Sequence, residues 1–208
     1  MNKQKIHIFV AQDITRYGKD LYGELKLVEL IGELEKLDCS WIRLLYCYPE
    51  LVTDELISKI KNSQKVVKYI DIPMQHASDN ILKRMNRHVR QQFLQNLIDK
   101  LRAQIPNIVI RTTFIVGFPG ETEQDFEILY NFVQKNAFDK CGFFAYSRED
   151  GTPAYDFENQ VADKFNKFKL SIQVLAISCD ILSNKIKLFY AIFFNNIFCL
   201  RGYFIHWS

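Results

Sequence analysis

The sequence predicts an α/β protein whose five parallel strands form an open, curved sheet. Two observations carry this. Strand-like apolar runs recur at 6–10, 41–46, 66–72, 108–116 and 141–146, with helical stripes between them. The runs are roughly 25–40 residues apart, the spacing of βαβ units, which build parallel sheets. Five strands do not close an eight-fold barrel, so the sheet is left open.

The elements follow in chain order. The run IHIFV at 6–10 is a first strand. Leu27, Val28, Leu30, Ile31, Leu34 and Leu37 form an apolar stripe at helical spacing over 24–38. WIRLLY at 41–46 is a second strand. Thr53 caps a helix carrying Leu56, Ile57 and Ile60. VVKYIDI at 66–72 is a third strand. Ser78 is a cap candidate before Ile81, Leu82 and Met85, and Phe93, Leu94, Leu97, Ile98 and Leu101 mark a longer helix over 90–104. IVIRTTFIV at 108–116 is a fourth strand, running into Gly117-Phe118-Pro119-Gly120. Pro119 presets φ and Gly120 supplies a positive φ, which suits a type II turn. Thr122 then caps a helix, with Asp125 at capping-box spacing. A strand ending in a glycine turn at a helix N-terminus offers backbone N–H groups to an anion or polar ligand. The same pattern is also a plain βα turn, common in α/β folds. CGFFAY at 141–146 is the last strand.

Ligands of parallel sheets bind at the carboxyl ends of the strands. That rule selects Gln12, Asp13 and Arg16; Tyr46 to Pro49; Pro73 to His76; Gly117 to Glu121; and Tyr146 to Arg148. Four of these five loops carry polar groups able to converge on one ligand. Loops are polar in any case, so the selection alone does not make a site.

The chain has 208 residues, 48% of them hydrophobic, with 27 Lys+Arg and 24 Asp+Glu. Five of the basic residues and one acid lie beyond Phe165, which leaves 22 basic and 23 acidic residues in 1–164. The body is therefore near neutral, and no direct nucleic-acid binding is expected from it. The cysteines Cys39, Cys47, Cys141, Cys179 and Cys199 are never two or three residues apart, which argues against a zinc ribbon or a contiguous iron–sulfur motif. Thiols so spread fit a reducing compartment. The apolar run Ile6 to Ala11 lacks a signal-peptide cleavage site, so the expectation is cytoplasmic.

Residues 1–164 read as one core domain and 165–208 as a divergent hydrophobic tail. The tail is rich in Phe and Ile and nearly free of acids. Its apolar stretch at Leu188–Leu200 is broken by Asn195-Asn196 and is shorter than a membrane span. A non-native tail, such as AT-rich DNA gives when read out of frame, is the favoured reading over a docking helix or a membrane anchor.

The segments AQDITRYGKDLYG (11–23), WIRLLYCYPE (41–50), YIDIPMQHASDNILKRMNR (69–87), RTTFIVGFPGETEQDF (111–126) and FFAYSREDGTPAYDF (143–157) resemble the radical S-adenosylmethionine methylthiotransferases. Three sites separate this chain from the tRNA-modifying class: Gln12 to Gly18, Met74 to Ser78, and Arg111 to Thr113. All three favour the class that methylthiolates an aspartate of a small-subunit ribosomal protein. The alternatives are a fragment of the tRNA class and a non-catalytic partial barrel.

The resemblance implies S-adenosylmethionine and [4Fe–4S] clusters. One cluster is held by a CxxxCxxC loop after the first barrel strand, and reductive cleavage of the cofactor yields a hydrogen-abstracting radical. No CxxxCxxC occurs in this sequence. The five strands match the second to sixth of a six-stranded partial barrel, so the first βα unit is read as missing and the chain alone as inactive. The resemblance gives no catalytic or metal-binding residue here. It implies cofactor contacts from Asp13 (methionine amino group), Gln75 and His76 (ribose and carboxylate), and Arg111, Gly117, Tyr146 and Ser147 (near the adenine). His76 reads equally as a structural hydrogen-bonder, and Arg111 as the partner of a carboxylate such as Asp71 or Asp13. The cofactor carries the chemistry, so no acid–base pair is required.

Overall fold

The structure is a computed structural model. It describes residues 11–160 in full and the backbone of strands at 6–9, 197–200 and 203–206. The elements are β1 (Ile6–Phe9), α1 (Lys19–Tyr22), α2 (Leu27–Leu34), β2 (Trp41–Leu44), α3 (Asp54–Asn62), β3 (Tyr69–Asp71), α4 (Asp79–Arg84), α5 (Gln91–Gln104), β4 (Val109–Val116), α6 (Glu123–Asn136), β5 (Lys140–Ala145), β6 (Ile197–Leu200) and β7 (Tyr203–His206). The α/β class and the parallel pairing are borne out, and the sheet is not closed. The chain divides into two compact units, Met1–Pro73 with Leu94–Arg111 and Met74–Phe93 with Thr112–Ser208.

In the first unit β1 pairs with β2 in parallel, with Ile6 opposite Trp41 and Phe9 opposite Leu44. Ile42 bridges to Val66, and β3 then pairs with the start of β4, with Asp71 opposite Arg111. The predicted strand at 66–72 thus has two neighbours. Residues 65–67 bond to β2 (Ile42 N to Lys65 O, 2.9 Å), and 69–71 bond to β4. The strand is shortened because its ladder changes partner. Ile31, Ile42, Leu44, Leu56, Ile57, Ile60, Ile70, Ile98 and Leu101 are buried and form the core, as the helical stripes predict.

Helix α2 is shorter than its apolar stripe. After Leu34 the chain tightens into i to i+3 bonds (Lys36 N to Glu33 O, Leu37 N to Leu34 O), and Lys65 Nζ donates to the Glu35 and Leu37 carbonyls. At α3, Thr53 Oγ1 accepts from Leu56 N at 3.2 Å, and Lys68 Nζ donates to the carbonyls of Ile60, Lys61 and Ser63. These lysines satisfy carbonyls that a helix end leaves orphaned.

In the second unit the end of β4 lies between the continuation of β3 and β5. Phe114 packs edge-on against Phe132 and Phe138, at 6.5 and 5.9 Å between ring centroids, and against Phe143 at 5.7 Å. The expected capping box forms at α6: Asp125 N donates to Thr122 Oγ1, and Thr122 N to Asp125 Oδ2. Ser78 stands at the N-cap of α4, but its hydroxyl donates to buried Asp125 instead of accepting from its own helix. Asp125 thereby ties the N-termini of α4 and α6 to one carboxylate. In the tail, β6 and β7 pair antiparallel. The remaining tail readings fall outside the described residues.

Candidate functional site

In the first unit the chain beyond β1, beyond β2 and at the end of β3 is stitched together. Ile14 N donates to Tyr46 O, Tyr48 N to Thr15 Oγ1, and Cys47 N to Asp71 O at 2.8 Å. The predicted segments beyond β1 and β2 meet here, and the third partner is Asp71 at the end of β3, not the predicted segment Pro73 to His76. Tyr46 adopts φ +58°, a left-handed conformation unfavourable for a residue with a Cβ. Such strain concentrates where a loop must take a particular course.

The Asp13 carboxylate is engaged locally. It accepts from Thr15 N at 2.9 Å, from the Thr15 hydroxyl, and from Arg16 Nε at 2.9 Å. Arg111 Nη1 lies 2.7 Å from Asp71 Oδ2. Of the two sequence readings of Arg111, the ion pair with Asp71 is formed. Burial pushes the Asp71 carboxyl up, against the opposing pull of Arg111. Beside this pair Arg43 stacks over the Tyr69 ring at 3.9 Å.

In the second unit the strand pairing continues past β3. Gln75 N donates to Thr113 O at 2.9 Å, and Ile115 N to Gln75 O at 2.8 Å, with Gln75 at φ +70°. His76 is fully buried. Its Nδ1 accepts from Ser78 N at 2.9 Å. A backbone N–H can only donate, so Nδ1 carries the lone pair and Nε2 carries the proton of the neutral ring. Nε2 has no hydrogen-bond partner and stands 3.7 Å from Glu121 Oε2. Tyr146 donates its N–H to Val116 O and packs its ring on Phe118 at 5.2 Å, leaving a buried hydroxyl without a partner. Ser147 is exposed.

The Phe118–Glu121 segment forms the expected type II turn, with Gly120 at φ +82° and Glu121 N bonded to Phe118 O at 2.9 Å. A Cβ at Gly120 would fall 2.8 Å from Arg84 Cζ, and Arg84 Nε donates to Pro119 O. The turn does not offer free N–H groups. Gly117 N and Phe118 N donate to Glu121 Oε2 at 2.8 and 3.3 Å, Gly120 N to Asn159 O, and Thr122 N to Asp125. The chain's own carboxylate fills the cradle that the glycine pattern suggests for a ligand. The signal was a carboxylate placed directly after the turn.

Buried polar atoms without partners are rare and costly, so His76 Nε2 and Tyr146 Oη fit contacts to a polar small molecule. The described thiols do not fit an iron–sulfur cluster. Cys39, Cys47 and Cys141 are buried and form no disulfide, and no three metal-ligating residues gather among the described residues. Burial, with Asp71 and Asp13 nearby, pushes the Cys47 thiol far up, whereas a cluster ligand must be a thiolate. No described helix is long and apolar enough to cross a membrane.

Comparison with known proteins gives a consistent result. A family model described as the Radical SAM superfamily matches residues 3–133, more than half the chain. The ribosomal protein uS12 methylthiotransferase RimO of Acetivibrio thermocellus is 59% identical over 155 residues, covering 74% of this chain and 34% of that protein. The protein of the same name from Caldanaerobacter subterraneus subsp. tengcongensis is 52% identical over 175 residues, covering 84% and 40%. The chain thus spans little more than a third of the length of these curated relatives. Among solved structures, the Escherichia coli coproporphyrinogen III oxidase HemN aligns with a TM-score of 0.61 at 15% identity, covering 74% of this chain and 37% of that one. Streptococcus suis SuiB aligns at 0.58 and 14%, covering 89% and 38%. HemN is described as a radical SAM enzyme, and SuiB has also been solved with S-adenosylmethionine bound. With the strand order, the occupied glycine turn and the unpaired atoms at the strand ends, these matches place the chain in a family: it belongs to the radical SAM superfamily.

Proposed function

We propose that the chain is the cofactor-binding barrel portion of a cytoplasmic methylthiotransferase acting on an aspartate of the small-subunit ribosomal protein uS12. The observation that carries this reading is the 59% and 52% identity to proteins named for that activity. We place the end of this portion near residue 164, where the composition changes. S-adenosylmethionine, bound with a reduced cluster, supplies hydrogen-abstracting chemistry in this family.

On this reading the chain's own residues bind and orient the cofactor. The His76 Nε2–H donates to one of its acceptors, and the Tyr146 hydroxyl takes a second polar contact. Gly117 and Gln75 set the course of the chain beside them, and Ser147 follows at the open edge. Asp13 and Arg111 shape the first unit through Thr15, Arg16 and Asp71. The cluster ligands on this reading are not Cys39, Cys47 or Cys141.

The test has two parts. Titration of S-adenosylmethionine into the full chain should show binding that weakens in His76→Asn and Tyr146→Phe, each checked for native unfolding behaviour. Anaerobic reconstitution with iron and sulfide should leave no stoichiometric cluster. Unchanged affinity in both variants would remove the cofactor assignment. A full cluster's worth of iron per chain with a reducible signal would overturn the assignment of cluster ligands.

A further inference from the structure

We propose that a pocket in the second unit, walled by α4 and residues 87–90, binds a phosphate group of a nucleotide or of RNA. The pocket encloses about 450 Å³ and is lined by Asp79, Asn80, Lys83, Arg87, His88, Val89 and Arg90. Its walls follow from local backbone chemistry. Helix α4 ends in a Schellman motif. Asn86, at φ +56°, donates its N–H to Lys83 O, and Arg87 N donates to Leu82 O at 2.8 Å. These are the paired bonds by which a left-handed residue reverses the chain at a helix end. The reversal sets residues 87–90 beside the face of α4 that bears Asp79, Asn80 and Lys83.

Two further contacts hold the loop. Val89 is buried, and Asp79 Oδ1 accepts from Gln91 N at 2.7 Å, closing the loop where α5 begins. The pocket is therefore organised before any ligand arrives, which lowers the entropic cost of binding.

Its charge is one-sided. Lys83, Arg87 and Arg90 are permanent cations, His88 adds a further donor, and Asp79 is the single carboxylate, already engaged by Gln91 N. Arg84 does not line this pocket; its guanidinium faces Pro119 O and the Phe157 ring at 5.4 Å. The near-neutral balance of residues 1–164 conceals this local excess. Arginine and lysine around a roomy concavity match the planar oxygens and negative charge of a phosphate. An acidic peptide shares the charge, but the combination of two arginines with a histidine in a nucleotide-sized cavity favours phosphate.

The test uses the full chain, titrated separately with inorganic phosphate, AMP and a short single-stranded oligoribonucleotide. The variants are Lys83→Gln with Arg90→Gln, both at exposed positions, and Lys36→Gln as a control in the exposed turn after α2. Saturable binding of at least one probe is expected, weakened in the double variant and unchanged in the control. Binding of phosphate or AMP identifies a small-molecule phosphate as the source, and binding of the oligoribonucleotide alone identifies RNA. For the oligoribonucleotide, the slope of log affinity against log salt should shrink by about 1.4, since each lost phosphate contact on a single strand accounts for about 0.7. Binding of none of the three, an unchanged double variant, or equal weakening in the control would overturn the proposal.

Discussion

Replacing Arg111 with methionine isolates the buried pair that closes the end of β3. Methionine keeps an apolar stem of similar length and removes the cation. The Asp71 side chain is fully buried, while about a third of the Arg111 side chain reaches solvent. Without Arg111 the folded state has two options. A buried, unpaired carboxylate costs about 3–5 kcal/mol. Protonating Asp71 instead costs about 1.4 kcal/mol for each pH unit above an unfolded-state value near 3.9, or about 4 kcal/mol at pH 7. The cheaper route sets the variant's cost; the parent already carries part of it, because its own Asp71 titrates above the ordinary value, and the solvent access of Arg111 reduces the difference further, to about 3 kcal/mol or less at pH 7. The sign of the pH dependence follows. Asp71 titrates above its ordinary value in the folded state, and removing Arg111 raises it further. Between the unfolded and folded values only the folded variant holds the proton, so its stability falls as pH rises through that window and recovers as pH drops. At pH 4.5 the loss should fall below about 1 kcal/mol. Urea unfolding followed by circular dichroism, on parent and variant at both pH values, measures it. A loss under about 1 kcal/mol at pH 7, or an equal loss at both pH values, would refute the reasoning. Asp71→Leu combined with Arg111→Met should recover most of the stability, because no charge is then left buried.

Two further outcomes are expected. Burial raises the Asp125 carboxyl, but donors from Ser78, Thr122 and Asn80 outweigh it and hold the group below its ordinary value. Ser78→Ala should therefore cost about 1.5–3 kcal/mol at neutral pH, a deficit that narrows as pH falls through the folded Asp125 value; a pH-independent loss in urea titrations would contradict this. Cys47 should resist iodoacetamide in the native protein and react only once unfolded, because burial keeps it a thiol. Mass spectrometry showing native modification of Cys47 at the rate of an exposed thiol would count against it.

Much of the fold was legible because its signals are local. Thr53, and Thr122 with Asp125, announce helix starts by residue type and spacing, and the apolar stripes at 53–60 and 90–104 name the faces that are buried. What was not legible depends on partners distant in sequence. Ser78 looks like a helix cap, yet Asp125, 47 residues on, takes its hydroxyl. The strand at 66–72 looks continuous, but its two ends bond to different neighbours. Lys65 and Lys68 close the ends of α2 and α3 from outside those helices, which no local pattern announces. At the candidate site, the loops to inspect were evident from the strand ends. Which atoms are spent and which are spare was not: Asp13 and the glycine turn are satisfied internally, while His76 Nε2 and Tyr146 Oη are left over.

Glu121 gives the glycine turn a built-in competitor. Its carboxylate hangs only four residues beyond Gly117 and holds the N–H groups of Gly117 and Phe118, so any anion seeking those donors must displace a tethered rival. A short tether gives that rival an effective concentration in the millimolar range or above. Free phosphate, sulfate or a ligand's own carboxylate should therefore be excluded from this corner at ordinary concentrations. A ligand admitted next to it would meet a negative surface instead of a positive one. The turn thus discriminates by charge, turning away anionic groups and leaving room for a neutral or cationic one, although its glycine sequence alone suggests the opposite preference.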